Sequence, residues 1–284
     1  IPVVLQWGDY WPLCPRYDLL RNGRTPCDQV SAPAACLDCL APPAEHRATP
    51  PYELVPGAIR REAMHRVLGR ARSWIFPSQY LADRYRRAGF KIRSEEIIPH
   101  AVPVSEPRSG NHRRLSAGNL VIGFFGAVIE RKGFFMLVDA CRGLEGVALH
   151  VHGPLPKGMP APEMDWVVFH GPYRDVECSA RMAAVDVVAV PSLWEEGFGT
   201  IVQHAFAAGT PVLASRIGGL PEQLMTGGGL LLPPGDVDAW RRAIIRLRDG
   251  TDLETWRDHM PPPNGFSSYA ARIERILLEA IRHE

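Results

Sequence analysis

Apolar and polar positions divide this chain into two stretches of different regularity. Up to about residue 104, short apolar runs alternate with loops. Ile1-Pro2-Val3-Val4-Leu5-Gln6 reads as a buried strand, and Trp74-Ile75-Phe76 and Ile97-Ile98 read as two more. Helices are expected over residues 56–71 and from Ser78 to about Ala88. Ser78 suits the N-cap of the second, because its hydroxyl can accept from an amide of the first turn that has no partner within the helix. A domain does not begin comfortably inside a core strand, so residues preceding Ile1 are expected in the full protein. Residues 105–119, SEPRSGNHRRLSAGN, are polar and rich in Ser, Gly and Arg, as linkers are.

Beyond the linker the pattern becomes regular. Apolar runs predict strands at residues 120–125, 147–152, 166–169, 185–190, 211–214 and 230–232. Helical stretches lie between them at 133–141, 176–184, 200–208, 221–225 and 237–248. Alternating strands and helices indicate a parallel sheet, and uniformly apolar strands indicate helices on both of its faces. This predicts an α/β, Rossmann-like domain over residues 120–265. Phe134, Leu137, Val138 and Cys141 recur at the spacing of one helical face, which places Cys141 in the core. Cys178, on the next helix, receives the same reading. The final stretch, 266–284, is helically periodic through Tyr269, Ile273, Ile276 and Leu277.

Composition narrows the class. The chain has 284 residues, enough for two domains of ordinary size, and its 46% hydrophobic and 22% charged content is that of a globular protein rather than a disordered one. A formal charge of +1 supplies no electrostatic footprint for nucleic acid. Two local basic groups, Arg60, Arg61, His65, Arg66, Arg70 and Arg72, and then Arg84, Arg86 and Arg87, read as solvated helix faces. The alternative is attraction to an anionic substrate or to a membrane surface at its periphery. No stretch is long and apolar enough to span a bilayer, and no signal segment opens the sequence, so a cytoplasmic location is expected, with the inner face of the membrane as a variant.

The densest chemistry lies between Pro191 and Val212. A buried strand ends at Pro191-Ser192, a turn carries Glu196, Gly197, Phe198 and Gly199, and a helix begins near Thr200. A helix N-terminus presents unpaired N–H groups to an anion, and glycines let a ligand approach the backbone. A carboxylate just ahead of those amides can accept hydrogen bonds from sugar hydroxyls. Phosphate on the amides beside sugar on the carboxylate is what a nucleotide-sugar site requires, and ligands of open α/β sheets bind at the carboxyl ends of strands.

In this stretch the chain resembles the retaining family-4 glycosyltransferases of the GT-B fold. Their signature is a strand ending in Pro-Ser, then Glu-x-Phe-Gly, then a helix closing with Ala-x-Gly-x-Pro-Val. Gly126 with Lys132-Gly133 resembles the family's glycine loop and phosphate-contacting lysine. Asp186-Val-Val, Gly218-Gly219-Leu-Pro221-Glu222, Gly235-Asp236, Phe76-Pro77-Ser78 and Pro99-His100-Ala101-Val102 match further family positions. The resemblance implies two Rossmann-like domains with a cleft between them, the N-terminal, acceptor-side one incomplete and carrying a Cys-rich insertion. It implies that 266–284 crosses back onto that domain. It implies a UDP- or GDP-linked sugar as donor and a glycan, lipid-linked or small-molecule acceptor, as in polysaccharide or glycoconjugate biosynthesis. The donor contacts would come from Gly126, Arg131, Lys132, Glu196, Gly197, Phe198, Gly199, Thr200 and His204, with the nucleotide near His204 and residues 168–171. Glu196 and Asp9 would be the catalytic carboxylates, and no catalytic metal is implied.

Three positions depart from the family pattern. His204 stands where a second Glu usually holds the ribose, Ala127 replaces an arginine that helps neutralise the diphosphate, with Arg131 nearby in sequence, and Gly8 precedes Asp9-Tyr10 where a histidine is common. Two other readings therefore remain open: a non-catalytic subunit that binds nucleotide or glycan, and a nucleotide-sugar hydrolase or epimerase of the same fold.

Cys14, Cys27, Cys36 and Cys39 cluster within 26 residues. In a chain of this kind such a group reads as a metal site, structural zinc ahead of an iron–sulfur cluster, against the alternative of unrelated loop thiols. His150, His152 and His170 fall at strand ends and read as packing or loop residues. Trp7, Tyr10 and Trp11 read either as core or as a stacking surface for an acceptor sugar.

Overall fold

A computed structural model describes residues 2–21, 25–27, 36, 39, 57–104, 119–161, 163–250 and 252–282. The expected linker lies, but for Asn119, outside the described residues, as does most of the segment between Cys27 and Gly57. The chain forms two compact units: residues 1–99 with 270–284, and residues 100–269.

In the first unit, strands β1 (Val4–Gln6), β4 (Ser73–Phe76) and β5 (Glu95–Ile97) form a parallel sheet in the order β1-β4-β5. A short antiparallel pair, β2 (Leu20–Arg21) and β3 (Thr25–Pro26), lies apart from it. The opening strand is shorter than its apolar run suggests and is half-buried rather than buried, because among the described residues only β4 pairs with it. The central strand β4 is buried throughout. Helix α1 (Gly57–Leu68) precedes it and α2 (Gln79–Arg87) follows. Ser78 caps α2 as expected, its hydroxyl accepting from the Leu81 amide at 3.1 Å. The buried face of α2, Leu81, Ala82 and Tyr85, sits on an aromatic core: Tyr85 stacks on Trp7 at 5.7 Å and meets the edge of Trp74 at 5.9 Å. Tyr10 is buried in the same core, whereas Trp11 is exposed beneath the Arg60 guanidinium, 5.0 Å from its ring. Of the basic groups, Arg86 pairs with Asp83 and Glu95 and Arg66 with Glu62, whereas Arg60 and Arg84 are half-buried and donate to distant carbonyls, of Trp11 and Pro12 and of Cys27.

The second unit is built on six parallel strands: β6 (Leu120–Phe125), β7 (Val147–His152), β8 (Val167–Gly171), β9 (Val187–Val190), β10 (Val212–Ser215) and β11 (Gly229–Leu232). Their order is β11-β10-β9-β6-β7-β8, so the chain winds outward from β6 in one direction and then from its neighbour β9 in the other. Successive residues of β6 alternate between two cores. Leu120, Ile122 and Phe124 pack with α3 (Phe134–Cys141) and α7 (Val237–Asp249), and Val121 and Phe125 pack with α4 (Asp175–Ala183), α5 (Thr200–Ala207) and α6 (Leu220–Leu224). Cys141 and Cys178 are buried, one in each core, and burial pushes their thiols up to about 12 and about 11.

Three local features differ from the sequence reading. β9 begins two residues late because Asp186 turns inward, its carboxylate accepting from the Val121 amide at 2.7 Å. β8 extends to Gly171, its register shifted at Val151 and His152. A helix α8 (Asp252–Asp258), DLETWRD, is too short and too charged to show a period, yet it buries Leu253.

The last helix, α9 (Phe266–Arg282), passes from the second unit to the first, and from Ala270 onward it groups with residues 1–99. Arg272 donates to the Ile97 carbonyl at 2.7 Å and Arg275 pairs with Glu96 at 3.5 Å. Ile276 and Ala280 are buried, while Leu277, expected on the packed face, is exposed. Among the described residues no helix is long and apolar enough to cross a membrane.

Trp74 is fully buried and touches Trp7, Phe76, Tyr85 and Phe90. Trp74→Ala is expected to destabilise the first unit by about 3–5 kcal/mol, read as a lowered denaturant midpoint. A change below about 1 kcal/mol would show that this cluster closes around the gap.

Candidate functional site

Because strand order reverses between β6 and β9, the helices that follow them leave on opposite faces, and the loops at their carboxyl ends line one crevice. Gly126 follows β6, its amide donating to the His152 carbonyl at 2.9 Å. A 3-10 turn at Glu130–Lys132 then leads to Gly133, at φ 73°. A Cβ on Gly133 would lie 1.8 Å from the Pro191 carbonyl oxygen, so the absence of a side chain lets this loop rest on the end of β9. The Leu193 amide, donating to the Arg131 carbonyl at 2.8 Å, joins the two loops.

Lys132 is thereby delivered to Glu196. Its Nζ lies 2.7 Å from Glu196 Oε1. Ser192 Oγ donates to the same oxygen at 2.7 Å and Trp194 Nε1 at 2.9 Å. Glu196 is only 7% exposed, and a carboxylate that far from water requires such donors. Arg131 and Lys132 both lie 5.2 Å from the centre of the Trp194 ring, so one indole both donates to the anion and faces two cations. All three side-chain donors thus meet on Oε1.

The backbone of Glu196 is braced from a distant turn. Gly218, at φ 63°, lies against it: a Cβ there would come within 2.3 Å of the Glu196 carbonyl oxygen, and the next amide, of Gly219, donates to that oxygen at 2.8 Å. Phe198 is buried, meeting the His100 ring edge-on at 5.4 Å. Gln223 donates to the carbonyls of Phe198 and Gly199 and accepts from Gln203, which in turn accepts from the Asn264 amide. Helix α5 therefore starts from a fixed point, and its first-turn amides, which have no earlier carbonyl within the helix, open beside Glu196. His204, on the same helix, is half-buried; burial lowers its affinity for a proton, and Asp175 opposes that shift.

The structure thus gathers Arg131, Lys132, Glu196, Gly197, Phe198, Gly199 and Thr200 at the carboxyl ends of β6 and β9, with Gly126 closing β6. Asp9 belongs to the other unit, where its carboxylate accepts from the Trp11 amide at 2.8 Å and its carbonyl from Tyr85 Oη at 3.1 Å. Sequence reasoning missed the donors Ser192 and Trp194 and the braces Gln203 and Gln223. Ser192 stood inside the Pro-Ser signature, a usable signal; the two glutamines, one helix apart, carried none.

His150, His152 and His170 bring ligand atoms within 4.8 Å of one another, a spacing open to a metal ion. Their orientation argues against one. The rings of His152 and His170 are 4.3 Å apart and inclined by 3°, so an ion in the plane of one cannot lie in the plane of the other. Phe125 stacks on the opposite face of His152 at 4.5 Å, and Arg181 occupies His152 Nδ1 at 3.2 Å. Burial above all, then His170, Arg181 and His150, pushes His152 down to about 3. It is a neutral ring in an aromatic stack under the end of β7.

Known proteins share sequence with the second unit and fold with the chain. Residues 119–249 match the family described as glycosyl transferases group 1. D-inositol 3-phosphate glycosyltransferase of Mycobacterium marinum is 34% identical over 140 residues, 45% of this chain and 30% of that protein. MMP alpha-(1->4)-mannosyltransferase of Mycolicibacterium hassiacum is 31% identical over 178 residues, 56% of this chain and 41% of that protein. The chain thus spans less than half the length of these curated relatives. Among solved structures, Anabaena HepE in complex with UDP and glucose is similar in fold, with a TM-score of 0.65 at 19% identity, covering 97% of this chain and 71% of that one. Sucrose-phosphate synthase of Thermosynechococcus elongatus has a TM-score of 0.67 at 23% identity, covering 84% and 65%.

The histidine stack generates a pH prediction. Unfolded His152 takes up a proton near pH 6.5, whereas folded His152 resists until about 3, so the unfolded state binds more protons between those values. Stability should therefore fall as pH drops through that window, by at most about 1.4 kcal/mol per pH unit from this residue. In denaturant titrations between pH 6 and 4, His152→Phe should flatten that slope; an unchanged slope would remove His152 as its source.

Proposed function

We propose that this chain, whose residues 119–249 match the family described as glycosyl transferases group 1, belongs to a GT-B glycosyltransferase. It moves a sugar from a nucleotide-sugar donor onto a glycan, lipid-linked or small-molecule acceptor, with retention at the anomeric carbon. The observation that carries this reading is the Glu196 carboxylate. One oxygen is held by Lys132, Ser192 and Trp194, beside the opening amides of α5.

In this reading Glu196 Oε2 accepts hydroxyl protons of the sugar, and the amides at Gly199 and Thr200 receive the diphosphate. Lys132 Nζ, already at the junction, adds a positive charge where negative charge grows as the glycosidic bond to the diphosphate breaks. Fixed donors aimed at such a developing charge are a large source of rate enhancement. His204 and residues 168–171 would lie along the nucleoside, and Asp9 would act from the acceptor side. Anabaena HepE, solved with UDP and glucose, makes UDP the first nucleotide to test, with GDP beside it, and the inositol-phosphate relatives place a polyol phosphate among the acceptors to try.

A second reading, a nucleotide-binding subunit without turnover, is favoured by His204, Ala127 and Gly8 in place of the family's glutamate, arginine and histidine. Transfer assays on the full chain with UDP-glucose and GDP-mannose separate the two. Sugar transfer supports the enzyme, nucleotide binding without transfer or hydrolysis supports the subunit, and hydrolysis without an acceptor supports a hydrolase.

Two substitutions probe the assignment. Lys132→Ala should weaken UDP or GDP binding by roughly 1.5–3 kcal/mol in calorimetry, the range for a hydrogen bond to a charged group. Unchanged affinity would take Lys132 out of the nucleotide site. Glu196→Gln should lower turnover by roughly a hundredfold or more while nucleotide diphosphate affinity moves less than about threefold. Equal losses in both would place Glu196 on the nucleotide instead of the sugar.

A further inference from the structure

The first unit gathers four of the six cysteines around one backbone feature. Cys14 follows a turn closed by its own amide on the Tyr10 carbonyl at 2.8 Å, and its carbonyl accepts from the Tyr17 amide at 2.8 Å. Tyr17 and Leu19 then adopt left-handed conformations, φ 52° and 50°, which non-glycine residues rarely take. Cys27 is held at the same place by its amide on the Leu19 carbonyl at 2.7 Å, and Cys39 Sγ lies 3.8 Å from the next carbonyl, of Leu20. Cys36 stands three residues before Cys39, and both are helical, so the two lie about one turn apart on one side of that turn.

Two guanidiniums lie beside the cluster. Arg60, facing Cys14 and Cys36, is tethered to the Trp11 and Pro12 carbonyls and covers the Trp11 ring. Arg84 donates to the Cys27 carbonyl at 3.2 Å. A divalent ion with four thiolates carries a net charge of −2, and these two guanidiniums are placed to offset it. An all-sulfur ligand set excludes calcium and magnesium, which take oxygen, and a four-thiolate shell has no open position for catalysis.

We propose that Cys14, Cys27, Cys36 and Cys39 bind one zinc ion as a structural site, with Arg60 as its neighbouring counter-cation. The sulfurs stand wider apart than the 4.8 Å that groups the three histidines, so the ion draws them inward to roughly 2.3 Å from itself. Binding is thereby coupled to the ordering of this unit. The proposal does not depend on the donor-site reading, because all four ligands belong to the other unit.

The test uses the full chain purified from zinc-containing medium. Elemental analysis should find about one zinc per chain. Exchange with cobalt should produce thiolate-to-metal charge transfer in the near ultraviolet and the visible bands of a tetrahedral site. Cys36→Ser and Cys39→Ser should each lower zinc content severalfold, while Cys141→Ser, in the other unit, retains it. Should the serine variants fold poorly, thiol titration of the native chain decides: the four thiols should react slowly until a strong chelator is added, then at least tenfold faster. Metal-free protein whose four thiols react at once, a disulfide between any two of them, or iron with a visible chromophore would each overturn the zinc assignment.

Discussion

The second unit is organised around one carboxylate placed where water scarcely reaches it. Glu196 holds its position because Lys132, Ser192 and Trp194 meet on a single oxygen. Those three residues come from two loops that lie side by side only because β6 and β9 are neighbours at the point where the winding reverses. Close approach of the loops requires a bare Cα at Gly133, and the carbonyl behind Glu196 requires another at Gly218. Asp186 fixes the far end of the same strand pair by accepting from Val121. The geometry of a single carboxylate thus depends on topology, on two glycines and on a buried tether at the opposite end of the same two strands.

Much of this was legible in the chain because it was written in periods and local motifs. β6 and β7 fell on their expected residues, and Ser78 capped α2, since apolar runs between turn signals and a serine before a helix are each determined within a few positions. The turn from Glu196 to Thr200 was legible for the same reason: strand end, glycines and helix start adjoin in sequence. What stayed hidden depends on distance along the chain. Nothing near Gln223 announces that it holds the carbonyls of Phe198 and Gly199, and nothing near Trp194 says that its N–H turns inward. The expected partner of Glu196 was a ligand; that its resting partners would include an indole two residues upstream is a matter of side-chain direction, which residue identity leaves undetermined. The half-buried β1 shows the converse error, because an apolar run reports the capacity to be covered and not whether a neighbour covers it.

The two units reach stability by different routes. The second has two extensive aliphatic cores, one on each face of its sheet. The first has three short strands and a core in which Trp74, Phe76, Tyr85 and Phe90 supply most of the bulk. Large rings fill volume efficiently but leave polar atoms to place: Tyr85 sends its hydroxyl to the Asp9 carbonyl, which fixes the segment leading into Cys14.

The placement of α9 carries a consequence for synthesis of the chain. Residues 100–269 form a contiguous unit and can fold once they have emerged, whereas the first unit recruits residues from both sides of that insertion. At translation rates of about 5–20 residues per second, β5 waits roughly ten to thirty seconds between leaving the ribosome and receiving Arg272 on the Ile97 carbonyl and Arg275 on Glu96. During that interval the earlier-made unit is the unfinished one, and the later-made unit is complete. The order of assembly is the reverse of the order of synthesis, and the waiting element is β5, whose Ile97 carbonyl and Glu96 carboxylate stay without these two arginines until the end of the chain is made.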